Sequence, residues 1–295
     1  MAPRTNATPD TPAATASTAG VLRPAEFARH VSLDRRPAGA GVGEWVENHW
    51  WLRWDLPPGR WFSSQVVTHP TCSLTAEICS DPRAGMPRGT TVVITGVATK
   101  RFDVEIRGWG TVAGVRFRPG GLAALTGRAA SAWTDRVVPA SDVLPRQLCA
   151  ALADPGLVED PDEWVATAES GLIAAAGAAD PRYEQLLTIV ADMLADRSLV
   201  NVADLAQRHA VTPRTLQRLF THYVGIGPKW VLARYRMHDV LTEIDAGYAG
   251  TVTDLAHRYG WYDQAHFTRD FTALVGVTPG QYRERRQRDT ARPET

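Results

Sequence analysis

Four side chains at the spacing i, i+3, i+4, i+7, namely Arg214, Gln217, Arg218 and Thr221, fall on one face of any helix that contains them. Their chemistry suits duplex DNA. Arginine meets two acceptors of guanine in the major groove, glutamine does the same for adenine, and threonine suits a phosphate or a thymine methyl. The opposite face carries Leu216, Leu219, Phe220 and Tyr223, an apolar stripe that needs a core. On composition alone such a face reads as an ordinary solvated surface. A second copy of the pattern changes the reading.

Val202, Asp204, Leu205, Ala206 and Arg208 recur fifty residues later as Val252, Asp254, Leu255, Ala256 and Arg258. The register then slips by one. Arg218, Phe220, Thr221, Val224, Gly225 and Pro228 recur as Arg269, Phe271, Thr272, Val275, Gly276 and Pro279, so one residue is inserted in the second copy's turn. Each copy reads as helix, tight turn, helix. Asn201 and Thr251 stand as N-caps with Asp204 and Asp254 three residues on, and Thr212 and Asp263 cap the second helices. On the second copy the outward positions are Ala265, Thr268, Arg269 and Thr272, with Gln264 and His266 at the edges. Ala265 replaces a polar reader with a methyl group, so the first copy carries the richer reading face.

The charge pattern agrees. The chain is neutral overall, with 32 basic and 32 acidic residues, but between Leu205 and Met237 the charged residues are Arg208, Arg214, Arg218, Lys229, Arg234 and Arg236 with no acid among them. A local basic stripe of this kind is the footprint of a phosphate binder. A second basic run, Arg283 to Arg288, reads as a frayed terminus. Between the copies, Gly227-Pro228 opens a helix with the stripe Trp230, Ala233, Met237, Val240 and Ile244. At ~1.5 Å per residue it spans roughly 30 Å, close to the ~34 Å between successive major-groove faces.

Upstream, β-branched and aromatic runs at 45–56, 61–68, 73–78, 90–97, 102–106 and 111–117 alternate with turn signals such as Pro57-Pro58-Gly59 and Pro87-Arg88-Gly89. Close spacing without helices predicts an antiparallel sandwich or barrel. A short helix follows at 122–125, and helical text runs through Leu152 and over 162–176. Trp45, Trp50, Trp51, Trp54 and Trp61 either line an apolar pocket or fill the core. Arg116 and Arg118, before Pro119-Gly120-Gly121, either meet an anion or serve the strand-to-helix connection. His49 and His69 stand apart from other ligand types, so neither a metal nor any other cofactor is expected. Cys72, Cys79 and Cys149 fit neither a disulfide framework nor a zinc cluster. No apolar run reaches the ~18 residues of a membrane helix.

Several stretches together resemble the DNA-binding domain of the AraC/XylS transcription regulators. They are Val202-Ala203-Asp204-Leu205-Ala206, 212–220, Gly227-Pro228-Lys229, Asp263-Gln264-Ala265-His266-Phe267 and Gly276-Val277-Thr278-Pro279, within a match from about Tyr183 to Arg285. The resemblance implies two helix-turn-helix units in adjacent major grooves. Arg214, Gln217, Arg218 and Thr221 are then the first unit's contacts, and Gln264, His266, Thr268 and Arg269 the second's. It also implies an effector or dimerisation domain upstream, cupin-like in some relatives.

The expected molecule is thus α+β with two domains: a strand-rich sandwich or cupin-like barrel followed by an all-α double helix-turn-helix domain. The segments are a disordered tail (1–20), an effector or dimerisation domain (21–153), a helical linker (154–180), the DNA-binding domain (181–288) and a tail (289–295). Expected partners are double-stranded DNA, a small-molecule effector, RNA polymerase and a second copy, in the cytoplasm and with no membrane. The competing reading is a DNA-repair or other enzyme fused to this module, for which Cys72 is the one candidate nucleophile.

Overall fold

A computed structural model describes residues 20–82 and 89–291. Of the expected tails, 1–20 and 289–295, residues 1–19 and 292–295 lie outside the described residues, as do Pro87 and Arg88; Gly20 accepts from the Val67 amide, and 289–291 belong to the last helix. All six expected strands form: β2 (Val46–Asp55), β3 (Trp61–Val66), β4 (Ser73–Cys79), β5 (Thr91–Thr95), β6 (Phe102–Arg107) and β7 (Trp109–Phe117). Two more, β1 (Ser32–Pro37) and β8 (Val137–Pro139), are added, with a helix α1 (Pro24–His30) before them. Their sequences lack the apolar alternation that marks a strand, and pairing with β2 and β5 supplies what propensity does not. One antiparallel sheet runs β1-β2-β7-β4-β5-β8, and β3 pairs only with β6.

The period of two along β2 divides the tryptophans between two environments. Trp51 and His49 point to one face, where they are 2% and 0% exposed. Trp50 and Trp54 point to the other, between the large sheet and the β3–β6 ribbon. There they lie across β7. Gly114 pairs with Trp50 and Gly110 with Trp54, and a Cβ at either glycine would stand 2.3 or 2.1 Å from the indole. Only glycine lets the rings lie flat on the neighbouring strand.

Helices cover the other face: α2 (Gly121–Thr126), α3 (Arg146–Leu152), α4 (Pro155–Glu159) and α5 (Pro161–Ala175). Trp164 of α5 is fully buried with its ring edge-on to Trp51 at 5.7 Å. Glu169 Oε1 accepts from the Gly39 amide at 2.7 Å and lies 2.8 Å from His49 Nε2. The stretch expected to connect the domains therefore packs on the sheet through one of its longest helices. Asp154 and Asp160 cap α4 and α5.

The remaining helices are α6 (Pro181–Ala195), α7 (Val202–Arg208), α8 (Pro213–Tyr223), α9 (Pro228–Asp245), α10 (Val252–Arg258), α11 (Gln264–Val275) and α12 (Pro279–Ala291). The basic run in α12 is helical and anchored rather than frayed. Arg286 pairs with Asp245 at 2.7 Å, and Arg283 donates to the Gly250 carbonyl.

Helix α9 is buried on more than the expected stripe. Arg234 is 3% exposed and donates to the carbonyls of Thr68, Ala98 and Thr99. Burial pushes its guanidinium down to about 10, so it stays charged at neutral pH. One helical turn on, His238 stacks on His69 with ring centroids 3.8 Å apart and meets the Thr68 carbonyl through Nε2 at 3.2 Å. Burial chiefly, with Arg234 and Arg116 adding to it, pushes His238 down to about 3.

Because the folded-state value is depressed, His238 is neutral in the fold while the unfolded chain takes up a proton below ~6.5. Its contribution to stability is whole above that pH and is lost as pH falls toward about 3. The thermal midpoint should drop as pH is lowered from about 7 to about 5. The variant His238→Phe, which keeps a stacked ring but cannot titrate, should show a shallower drop. Equal slopes in the two proteins would remove His238 as the origin.

Candidate nucleic-acid interface

Each half of the duplication folds as helix, tight turn, helix, with α7 and α8 in the first unit and α10 and α11 in the second. The predicted caps form. Asn201 accepts from the Asp204 amide at 2.9 Å, Thr212 from Thr215 at 3.1 Å, and Asp263 from His266 at 2.6 Å. Thr251 and Asp254 complete a reciprocal capping box. In both turns an amide reaches back to the first helix, Val211 to the Ala206 carbonyl and Trp261 to that of Ala256. The inserted residue is therefore Tyr262, between Trp261 and the Asp263 cap. It is 89% exposed at the entrance of α11. The one-residue slip locates it, but its exposure is not legible in the sequence.

The faces divide as the spacing predicts. Leu216, Leu219, Phe220 and Tyr223 are buried, while Arg214, Gln217, Arg218 and Thr221 are exposed together on α8. Arg214 and Arg218 have no ion-pair partner among the described residues. Gln217 Nε2 donates to Thr221 Oγ1 at 3.2 Å, which aligns both on the outer surface.

On α11, Gln264, Ala265, His266 and Arg269 are exposed, whereas Thr268 and Thr272 are half-buried. Gln264 is tied back to α10 by Thr253 Oγ1 at 2.6 Å, and His266 lies 3.2 Å from Asp270. Asp270 also accepts from Trp261 Nε1 at 2.9 Å. Thus two of the second unit's candidate readers are engaged within the protein, and a carboxylate stands on its outer face.

The basic stripe is less uniform than the sequence suggests. Arg208 pairs with Asp196 at 2.6 Å, and Arg236 donates to the Tyr259 and Gly260 carbonyls. Arg234 is buried in the interface with the sheet domain. Arg214, Arg218 and Lys229 are exposed and remain available to phosphate. The guanidiniums that look alike in sequence are separated by the partners, a carboxylate or backbone carbonyls, that the fold brings to each.

Both units are gripped from behind by the sheet domain. Thr134 Oγ1 donates to the Gly225 carbonyl beyond the end of α8 at 2.9 Å. Arg101 donates to the Val275 carbonyl at the end of α11 at 2.7 Å. A cation at a helix C-terminus meets the negative end of its dipole. The candidate nucleophile of the enzyme reading is poorly suited to that role: Cys72 is buried, and burial pushes its thiol up to about 12.

A family profile described as a helix-turn-helix domain matches residues 205–285, and one described as Domain of unknown function (DUF6597) matches 35–139. An AraC-like transcription regulator of Streptomyces lividans is 36% identical over 109 residues, which cover 37% of this chain and 35% of that protein. The HTH-type transcriptional regulator Rv1931c of Mycobacterium tuberculosis is 32% identical over 83 residues, 28% of this chain and 32% of that one. The chain thus spans about a third of the length of these relatives. Among solved structures, the C-terminal domain of AraT from Geobacillus stearothermophilus is 22% identical over 37% of this chain and 88% of that one, with a TM-score of 0.33. ToxT from Vibrio cholerae is 10% identical over 86% of this chain and 97% of that one, with a TM-score of 0.38. Residues 205–285 thus match a helix-turn-helix domain, and the relatives that share the C-terminal region include proteins named AraC-like regulators.

The two turns differ in one respect that stability can read. Ala210 holds φ +51°, a left-handed conformation that costs an alanine roughly 1–2 kcal/mol, where the second copy has Gly260 at φ +75°. Ala210→Gly should stabilise the protein by about 0.5–1 kcal/mol after glycine's greater freedom in the unfolded chain is subtracted. Gly260→Ala should destabilise it by more, since its Cβ would stand 2.6 Å from Val200. Denaturant titration of both variants checks the pair, and destabilisation by Ala210→Gly would contradict the strain.

Proposed function

We propose that the chain is a sequence-specific regulator of transcription that places α8 and α11 in adjacent major grooves of one duplex. The observation that carries this reading is the exposed quartet Arg214, Gln217, Arg218 and Thr221 on a capped, duplicated second helix. At ~1.5 Å per residue, the 18 residues of α9 span about 27 Å, a length that suits successive grooves. The strand-rich half, on this reading, is an effector or dimerisation domain. A second copy and RNA polymerase are the further partners, in the cytoplasm. Among the described residues no helix is long and apolar enough to cross a membrane. The relative RhrA of Rhizobium meliloti, 26% identical over 95 residues, is named a transcriptional activator, which favours activation as the output.

The two units divide the work. The first reads base edges through Arg214, Gln217 and Arg218. The second, with Gln264 and His266 engaged internally and Ala265 between them, grips phosphate through Arg269 and Thr268 and fixes the register.

The test begins by selecting a preferred site for the full chain from random duplexes. Binding is then titrated on that site and on a scrambled duplex across several salt concentrations. Arg218→Ala should cost about 1–3 kcal/mol on the preferred site and relax one base pair. Arg269→Ala should weaken both duplexes alike and lower the salt slope by about one unit. Selection that yields no preferred site would overturn the regulator reading. Discrimination lost with Arg269→Ala but kept with Arg218→Ala would reverse the division of labour.

A further inference from the structure

Between the large sheet and the β3–β6 ribbon lies a cavity of about 290 Å³, near the lower end of the ~300–1,000 Å³ of small-molecule sites. Trp50, Trp54, Phe102 and Ile106 give it apolar walls. Its two lining arginines stand close together. Arg35 stands opposite Trp50 on the ladder, and Arg116 stands opposite Asn48 on one side and Ser73 on the other. These lie at the end where His69 forms the wall. Three acids also line the cavity: Glu77 pairs with Val112, four positions along β7 from Arg116, or about 13 Å at ~3.3 Å per residue, Asp81 follows the end of β4, and Glu105 on the ribbon is paired with Arg107.

Three observations define the His69 end. First, Arg35 and Arg116 stand close enough to act on one another, with Glu47 3.1 Å from Arg116. Second, Asn48 is 3% exposed and its Oδ1 has no hydrogen-bond partner. A buried amide without a partner is costly, and rotated by half a turn it presents N–H donors instead. Third, apart from burial, the neighbours acting on His69 are His238, Arg116, Arg234 and Arg35, and all of them disfavour its protonation. This end of the cavity is rich in donors and carries the arginine charge.

We propose that the cavity takes a small apolar carboxylate, its body against Trp50 and Trp54 and its head at Arg116, Arg35 and Asn48 beside His69. The assignment rests on reading the sheet domain as an effector domain. A carboxylate accepts from guanidinium in charge-assisted, often bidentate bonds, which an alcohol does not match and an ammonium group opposes. The ligand's head then lies one ring away from α9, because His69 stacks on His238.

The experiment uses the full chain and three probe sets: octanoate, decanoate and naphthoate, each with its alcohol and its amine analogue. Binding is followed by tryptophan fluorescence and calorimetry, and duplex binding is titrated separately. At least one acid should bind about tenfold or more tightly than its alcohol and its amine. Arg35→Gln should erase that advantage without weakening the alcohol, and Arg35→Lys should keep most of it. An alcohol or amine that binds as tightly as every acid overturns the proposal, as does the absence of saturable binding by any probe. If Arg35→Gln fails to fold, the acid–alcohol–amine comparison on the unaltered protein still decides. Duplex binding with no acid binding refutes the ligand assignment alone. Acid binding with no duplex binding refutes the regulator reading and leaves the cavity assignment standing.

Discussion

The arrangement of the molecule depends on a single buried charge. Arg234 sits in the middle of the helix joining the two helix-turn-helix units, and three carbonyls from the sheet domain hold its guanidinium. A charge at that depth is tolerated only if its donors are met. Thr68, Ala98 and Thr99 must therefore be presented together, and they come from two loops that extend from the paired ends of β3 and β6, where Thr68 Oγ1 donates to the Ala98 carbonyl at 3.4 Å. Moving the helix by even a fraction of a turn would leave a buried cation with unmet donors. The same constraint seats His238 on His69 and brings Thr134 and Arg101 to the ends of the two outward helices. The sheet domain thus sets how α8 and α11 stand relative to one another.

Much of this architecture is legible in the sequence, because the signals are local. Period-two alternation marks six strands, and Asn201, Thr212, Thr251 and Asp263 mark helix starts because a short polar side chain there satisfies an orphan amide nearby. What is not legible is tertiary. Strands β1 and β8 are extended because a neighbour pairs with them. The tryptophans of β2 divide between core and cavity by parity alone, but which parity faces the cavity is decided by Gly110 and Gly114 on another strand.

The candidate site shows the same limit. The quartet on α8 is readable because its four members and their apolar back lie within one short helix. Arg208, Arg234 and Arg236 read as members of the same basic stripe, yet each is spent within the protein, on Asp196 or on backbone carbonyls. Arginine's donors serve phosphate and carbonyl alike, so residue type cannot separate the two uses. His69 appears isolated because its partner, His238, belongs to the other domain.

The hydrophobic core adds a consequence for inheritance. One continuous apolar cluster runs from Val42 and Trp51 of the sheet through Trp164 and Tyr183 to Leu216, Phe220 and Tyr235 of the first unit. The second unit's cluster, around Leu255, Phe267 and Phe271, is separate and takes only Leu22 and Val67 from the sheet domain. A crossover between related genes at the boundary suggested by composition would cut the first cluster in half. One placed within α9 would exchange the second unit nearly intact. The last outward helix, α11, would travel with its own core, whereas α8 would stay with the sheet domain it packs on.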